Sequence, residues 1–200
     1  MKRRAAKQNR WDDHYTTRAR REKYPARSVF KLQEIQRKFR LIKKGTRVLD
    51  LGCAPGSWLL YAAQLIGPGG AIIGVDLQKV NIRLPANVTV YNGDILSPDE
   101  TLLANIGQGF DTVLSDMAPS TTGHKATDAA RSYNLCQAAL NLAERVLLPG
   151  GIFVSKIFQS GEFQTYRNEV GAVFSKVSIF KPQSSRKASK EIFIIGIGRR

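Results

Sequence analysis

Cysteine is almost missing from this 200-residue chain, which carries only Cys53 and Cys136. Two cysteines make neither a disulfide framework nor a cysteine-rich zinc site, and no other spacing suggests a metal. Long apolar runs are missing too. None approaches the ~20 residues that span a bilayer, and the most apolar region, Trp58 to Val75, is interrupted by Gln64, Pro68 and several glycines. The N-terminus is basic, but no apolar segment follows it, so a secretory signal is not expected. There is no internal repeat. One reduced, cytoplasmic, membrane-free domain without a metal is the expectation.

Acid is also scarce: 16 Asp and Glu face 31 Lys and Arg, for a net charge of +15. The excess is segregated. Residues 1–47 hold 17 basic against 4 acidic residues (+13), residues 48–180 hold 8 against 11 (−3), and residues 181–200 hold 6 against 1 (+5). A near-neutral body with a basic N-terminal arm and a basic C-terminal edge is the electrostatic footprint of a polyanion binder, most often of nucleic acid. The bland alternative is a solvated tail. Residues 1–23 show little apolar face for a membrane surface. They read as a flexible basic arm, disordered or only loosely helical without a partner, ahead of a single domain over 24–200.

What is present begins with Val48-Leu49-Asp50-Leu51-Gly52-Cys53-Ala54-Pro55-Gly56-Ser57-Trp58. An apolar run, a glycine turn and an amphipathic start predict the strand, tight turn and helix with which parallel sheets grip nucleotide-like cofactors. Asp76 closes the next apolar run, twenty positions beyond Gly56, where a carboxylate can accept from ribose hydroxyls. The turn is neither Gly-x-Gly-x-x-Gly nor a P-loop ending in Lys-Ser/Thr. An adenosine-bearing cofactor without a pyrophosphate fits better, and S-adenosylmethionine is the candidate.

Periodicity predicts strands near 46–50, 71–75, 88–91, 111–115, 151–156, 175–180 and 191–197. Helices are predicted near 27–40, 57–66, 98–105, 127–147 and 161–172, with Pro149-Gly150-Gly151 separating the long helix from the next strand. The alternation predicts an α/β, Rossmann-like, seven-stranded, mostly parallel sheet with helices on both faces. Lys181 to Lys190 is too short for a helical crossover, so the last strand should run antiparallel.

Ligands bind such sheets at the strand ends. Asp94 follows the third strand, Asp116 the fourth, Lys156 closes the fifth and Glu191 opens the last. Singly, Asp94 and Asp116 also read as caps or turn residues and Lys156 as a snorkelling lysine. Lys31 shares a helix face with Arg27, Glu34 and Lys38, so by pattern it reads as solvated.

Together, Arg27-Ser28-Val29-Phe30-Lys31-Leu32, Asp50 to Gly56, Ser115-Asp116-Met117-Ala118-Pro119, Lys156-Ile157-Phe158-Gln159, and Lys181-Pro182 with Ser184-Ser185-Arg186 before Glu191 resemble the FtsJ-type ribosomal RNA 2′-O-ribose methyltransferases. The resemblance runs from about Tyr15 to Arg199. It implies a class I methyltransferase fold, S-adenosylmethionine as cofactor and a catalytic Lys31, Asp116, Lys156, Glu191 set with Lys156 as proton acceptor. It implies cofactor contacts at Gly56, Trp58, Asp76, Asp94 and Asp116. Ser57 stands where many relatives have glycine, and Ser120 where asparagine is usual. The implied substrate is a uridine of 23S large-subunit ribosomal RNA, in the assembled subunit, methylated by a monomer. Transfer RNA and a non-catalytic ribosome-assembly role are the alternatives. A nicotinamide-dependent dehydrogenase is disfavoured by the missing Gly-x-Gly.

In the chemistry, a ribose hydroxyl must lose its proton as its oxygen attacks a methyl group, so alignment and proton removal are the protein's share. A lysine in water titrates near ~10.4, and a lysine base therefore needs surroundings that favour the neutral amine. Arg10, Arg18, Arg20, Arg21, Lys23 and Arg27 suit phosphates. Trp11, Tyr15 and Tyr24 among them suit either base stacking or anchoring of the arm.

Overall fold

The structure, a computed structural model, describes residues 10–120, 122–159, 161–186 and 189–200. The elements run α1 (Arg10–Arg21), α2 (Val29–Phe39), β1 (Arg47–Leu51), α3 (Ser57–Ile66), β2 (Ala71–Asp76), β3 (Val88–Asn92), α4 (Glu100–Ile106), β4 (Phe110–Ser115), α5 (Lys125–Val146), β5 (Leu147–Phe158), α6 (Phe163–Val173), β6 (Phe174–Phe180) and β7 (Glu191–Arg199). Seven strands form one sheet in the order β3-β2-β1-β4-β5-β7-β6. The first five pair in parallel, and β7 runs antiparallel to both β5 and β6.

Strand alternation divides the interior in two. Leu49, Leu51, Val113, Phe153 and Ile194 face a core closed by α4, α5 and α6. Val48, Leu114, Val154, Phe193 and Ile195 face a second core closed by α2 and α3. Burying each large side chain contributes about 1.5–3 kcal/mol, which makes the sheet the rigid part of the molecule. Helices thus cover both faces, as the alternation predicts.

Three local outcomes differ from the pattern. First, β5 begins at Leu147, directly after α5, and carries Pro149 and Gly150 within it. Proline has no N–H for the ladder, and the pairing with β4 accordingly shifts between Phe110↔Leu147 and Thr112↔Ile152. Second, α4 starts at Glu100 and not at 98, with the Asp99 side chain accepting from Leu102 N at 2.7 Å as its N-cap. Third, Arg10–Arg21 is a helix. Ala19 and Tyr24 are buried with Val29 and Phe30, and Tyr15 packs against them, so a small core crosses the expected boundary between arm and domain. Residues 1–9 and the side chains of Arg10 and Trp11 lie outside the described residues.

One polar group sits inside the sheet. Asp50 is 1% exposed, and neither carboxylate oxygen has a hydrogen-bond partner. Burial, followed by the charges of Asp116 and Asp76, pushes its pKa well above the carboxylate range. A folded-state pKa above the unfolded one means that the folded chain binds more protons, so this group costs stability as pH rises past its ordinary 3.8. Asp50→Asn is therefore expected to melt at the wild-type temperature near pH 3. It should melt progressively higher than wild type toward pH 7 and above. A gap independent of pH in thermal denaturation would contradict this.

Candidate active site

Parallel strands bring their C-terminal ends to one edge, and an antiparallel strand brings its N-terminal end to the same edge. Lys156 near the end of β5 and Glu191 at the start of β7 meet there for that reason, their strands pairing Lys156↔Phe193 and Phe158↔Glu191. Asp116 follows β4 at this edge. Lys31 arrives from α2, which packs over the sheet through Leu32 and Ile35.

These four side chains form a ring of alternating charge. Lys31 Nζ lies 3.1 Å from Glu191 Oε1 and 3.6 Å from Asp116 Oδ1. Lys156 Nζ lies 3.0 Å from Asp116 Oδ1 and 3.6 Å from Glu191 Oε1. Lys156 Nζ also donates to the backbone carbonyl of Asp116 at 2.6 Å. Asp116 Oδ1 has no aligned hydrogen bond and is held by charge. The side chains are 7–17% exposed, dry enough for the pairs to matter and open enough to be reached. For Lys31, burial opposes the charge, but Asp116 and Glu191 outweigh it and the pKa is raised. For Glu191, burial opposes the charge again, and Lys31 and Lys156 outweigh it, so the pKa is lowered.

Beside the ring, a cleft of about 290 Å³ opens across the ends of β1, β2 and β4, with Asp76, Asp94, Asp116, Gly52, Ile95 and Met117 on its walls. Asp76 accepts from Ala54 N (2.8 Å) and Gln78 N (2.7 Å), one bond on each oxygen, and each oxygen keeps acceptor capacity toward the cleft. Asp94 accepts from Leu96 N at 2.8 Å. Gly52 has φ +76°, and a Cβ there would lie 3.0 Å from the Met117 backbone, so only glycine keeps the cleft floor open. Carboxylates for hydroxyls and an amino group, with apolar Ile95 and Met117 between them, fit an adenosine-bearing cofactor.

Two expected cofactor residues are not on those walls. Trp58 is 3% exposed, donates through Nε1 to Ser28 O at 2.9 Å, and its ring lies 5.9 Å from that of Phe193. Gly56 makes the turn at φ +106°, where a Cβ would reach 2.6 Å from Ile82. Ser57 is buried, accepting from Ala26 N (2.7 Å) and donating to Ala26 O (3.0 Å). Residues 26–28 are thereby docked onto the start of α3.

Other contributors carried no sequence signal. Ser189 Oγ donates to Glu191 Oε2 at 3.1 Å, and Cys136 Sγ donates to Lys156 O at 3.0 Å. Glu34 accepts two backbone N–H groups from the β6–β7 loop. A larger cavity of about 390 Å³ lies between α1, α2 and that loop, bordered by Tyr15, Arg18, Phe30, Arg37, Lys38 and Phe180. Among the described residues no group of three or more His, Cys, Asp or Glu is placed to hold a metal, and no helix is long and apolar enough to cross a membrane.

Residues 24–199 match the model of a family described as FtsJ-like methyltransferase. The chain is 56% identical over 194 residues to the ribosomal RNA large subunit methyltransferase E of Desulforapulum autotrophicum, covering 97% of this chain and 96% of that protein. It is 50% identical over 200 residues to the protein of the same name from Desulfosudis oleivorans, covering 100% and 97%. Among solved structures, a putative ribosomal RNA methyltransferase from Plasmodium falciparum superposes with a TM-score of 0.78 at 25% identity, covering 88% of this chain and 98% of that one. Aeropyrum pernix fibrillarin, in complex with S-adenosyl-L-methionine, shares the fold with a TM-score of 0.60 at 19% identity, covering 78% and 68%.

The ring has a measurable pH signature. The lowered pKa of Glu191 contributes stability that is complete above its ordinary 4.5 and is lost as pH falls through the folded value. The raised pKa of Lys31 contributes stability that is complete below 10.5 and is lost only as pH rises beyond it. Glu191→Gln is therefore expected to lower stability at neutral pH by roughly 1.5–3 kcal/mol, the scale of a charge-assisted hydrogen bond. Denaturation curves should show that deficit flat across the neutral range and vanishing in acid. A deficit that persisted at pH 2 would assign the loss to packing.

Proposed function

Because the chain belongs to the FtsJ-like methyltransferase family, we propose that it methylates the 2′-hydroxyl of a uridine in 23S large-subunit ribosomal RNA, within the assembled subunit. The observation that carries this reading is the alternating Lys31–Asp116–Lys156–Glu191 ring next to a carboxylate-lined cleft. The family membership and the names of the relatives support methyl transfer to ribosomal RNA. The ring supports the hydroxyl as acceptor, since that group has a proton to lose.

When bound, S-adenosylmethionine supplies an electrophilic methyl group on a sulfonium sulfur that departs as a neutral thioether. Asp76 would hold the ribose hydroxyls, Asp94 the adenine amino group, and Asp116 the side of the cofactor that faces the ring. Gly56 and Trp58 serve the cofactor from beneath, through the turn they build. In the reaction proper, Lys156 must first release its own proton to solvent; as the neutral amine it then accepts the proton of the RNA 2′-hydroxyl as that oxygen forms the new bond. Asp116 and Glu191 stabilise the ammonium that results. Lys31, with its raised pKa, stays charged at neutral pH. It faces the negative charge developing on the 2′-oxygen. Positioned bases of this kind contribute about 10²–10⁴-fold.

RNA would be drawn in by the basic N-terminal helix and its surroundings. Arg20, Arg21 and Lys23 are exposed. Three cations lie over aromatic rings along the same side: Arg18 over Phe30 at 4.4 Å, Arg27 over Tyr15 at 5.2 Å, and Lys38 over Phe180 at 4.7 Å. Cations held in this way concentrate positive charge on that side of the molecule, where it attracts phosphates. Tyr24, buried with its hydroxyl donating to Gln64 at 2.9 Å, anchors the arm. A monomer working in the cytoplasm, with residues 1–23 as an RNA-binding arm on a domain over 24–200, completes the proposal.

Lys156→Ala is expected to reduce methyl transfer by about 10²–10⁴-fold while calorimetry shows unchanged cofactor affinity. Near-normal turnover in a folded variant would remove Lys156 as the base. Replacing Arg20, Arg21 and Lys23 together by alanine should raise the KM for RNA. It should also flatten the salt dependence of binding by about 0.7 in log–log slope for each single-strand phosphate that is no longer neutralised. An unchanged slope would take these residues off the RNA path.

A further inference from the structure

Glu34 lies one helical turn beyond Lys31 on α2, and its carboxylate does not face water alone. Oε2 accepts from Gln183 N at 2.6 Å and Oε1 from Ser184 N at 2.8 Å. Arg27, just before the same helix, donates to Ser184 O at 2.8 Å. The β6–β7 loop is thus held to α2 at its donor and acceptor groups alike. Pro182, Ser184 and Ser185 are buried beneath that contact. Among the described residues of the loop, Lys181 Nζ donates to Ser189 O at 3.0 Å and Ser189 N to Arg186 O at 2.9 Å. The Ser189 hydroxyl then donates to Glu191 Oε2 at 3.1 Å and accepts from Glu191 N at 3.1 Å. Glu191 Oε1 receives Lys31 Nζ, also at 3.1 Å.

These bonds close a circuit, from Lys31 along α2 to Glu34, through the loop to Ser189 and Glu191, and back to Lys31. A carboxylate that accepts backbone N–H groups is a charge-assisted anchor, about twice as strong as a neutral one. Resting on the methyl-transfer reading above, we infer that Glu34 is a positioning residue for the reaction: it fixes the β6–β7 loop so that Glu191 stays in register with Lys31 and Lys156. Glu34 touches none of the reacting groups. Its effect reaches them through Ser189 and Glu191, and misplacement of a catalytic group by 1 Å can cost about 10²-fold.

Glu34 also borders the basic groove, so a rival role is the tuning of RNA affinity. The two separate in the kinetics. Removing a negative charge from a basic groove tightens RNA binding and lowers KM. Loosening the loop lowers kcat. Glu34→Ala is expected to lower kcat about tenfold or more, with cofactor affinity unchanged. Glu34→Gln, which keeps one acceptor oxygen, should recover part of that loss. Ser189→Ala should act by the same route, so the double variant should be little worse than the poorer single one.

A second readout needs no turnover. The stability deficit of Glu191→Gln at pH 7 should shrink when measured in the Glu34→Ala background, because the Lys31–Glu191 pair is already loosened. An unchanged kcat, or multiplicative losses for Glu34 and Ser189, or an undiminished Glu191 deficit, would overturn the inference. If the wild-type chain transferred no methyl group to any RNA, the parent reading would fall, and the stability cycle would still decide the clamp.

Discussion

Two lysines, each 3.0–3.6 Å from the same two carboxylates and drawn with them from α2, β5, β7 and the residue after β4, are the constraint that the rest of this molecule serves. Removing a charge from water is costly unless an opposite charge replaces the water. Here each lysine has two carboxylates and each carboxylate two lysines, so the ring is neutral while both lysines are protonated and gives up that balance only when Lys156 releases its proton to act as base. Take away any one member and a partly buried charge is left uncompensated. Holding such a ring open to a substrate demands a scaffold that does not relax, and the double-faced sheet provides it. The antiparallel β7 is essential to this arrangement, because only a reversed strand delivers its first residue to the edge where the others end.

The carboxylate-lined cleft and the basic N-terminal helix meet on one short stretch of chain. Residues 26–28 link the basic helix to α2. Ser57 holds Ala26 through two hydrogen bonds, and Trp58 donates to Ser28. The turn that shapes the cleft floor is therefore joined to the helix that carries Lys31. Substituting serine for the usual glycine adds a side chain whose hydroxyl is fully satisfied there, so this departure strengthens the junction.

Much of the fold was legible because it is local. Alternation, glycine turns and the shortness of the 181–190 connection are all read within a few residues, and the sheet follows from them. Asp76, Asp94 and Asp116 were legible as strand-end acids and do line the cleft. Lys31 was not legible by pattern: its helix face carries Arg27, Glu34 and Lys38, and its partner Glu191 is 160 positions away. Only the resemblance singled it out. Glu34 and Ser189 were invisible for the same reason, since their bonds go to backbone groups of a loop that no periodicity describes. The helix Arg10–Arg21 was hidden by its polarity. It is held by Ala19, buried in one cluster with Tyr24, Val29 and Phe30, and by Tyr15 against the Phe30 ring, contacts made in three dimensions and not in composition.

The most direct test is transfer of labelled methyl from S-adenosylmethionine to large ribosomal subunits from cells lacking this protein, with naked ribosomal RNA and transfer RNA alongside. Alkaline hydrolysis cuts RNA at every ribose with a free 2′-hydroxyl. Label is expected in the subunits, retained in a single alkali-resistant dinucleotide that contains a modified uridine. Label that alkali releases as a mononucleotide would mean methylation on a base and would contradict the role given to Lys156 and its ring.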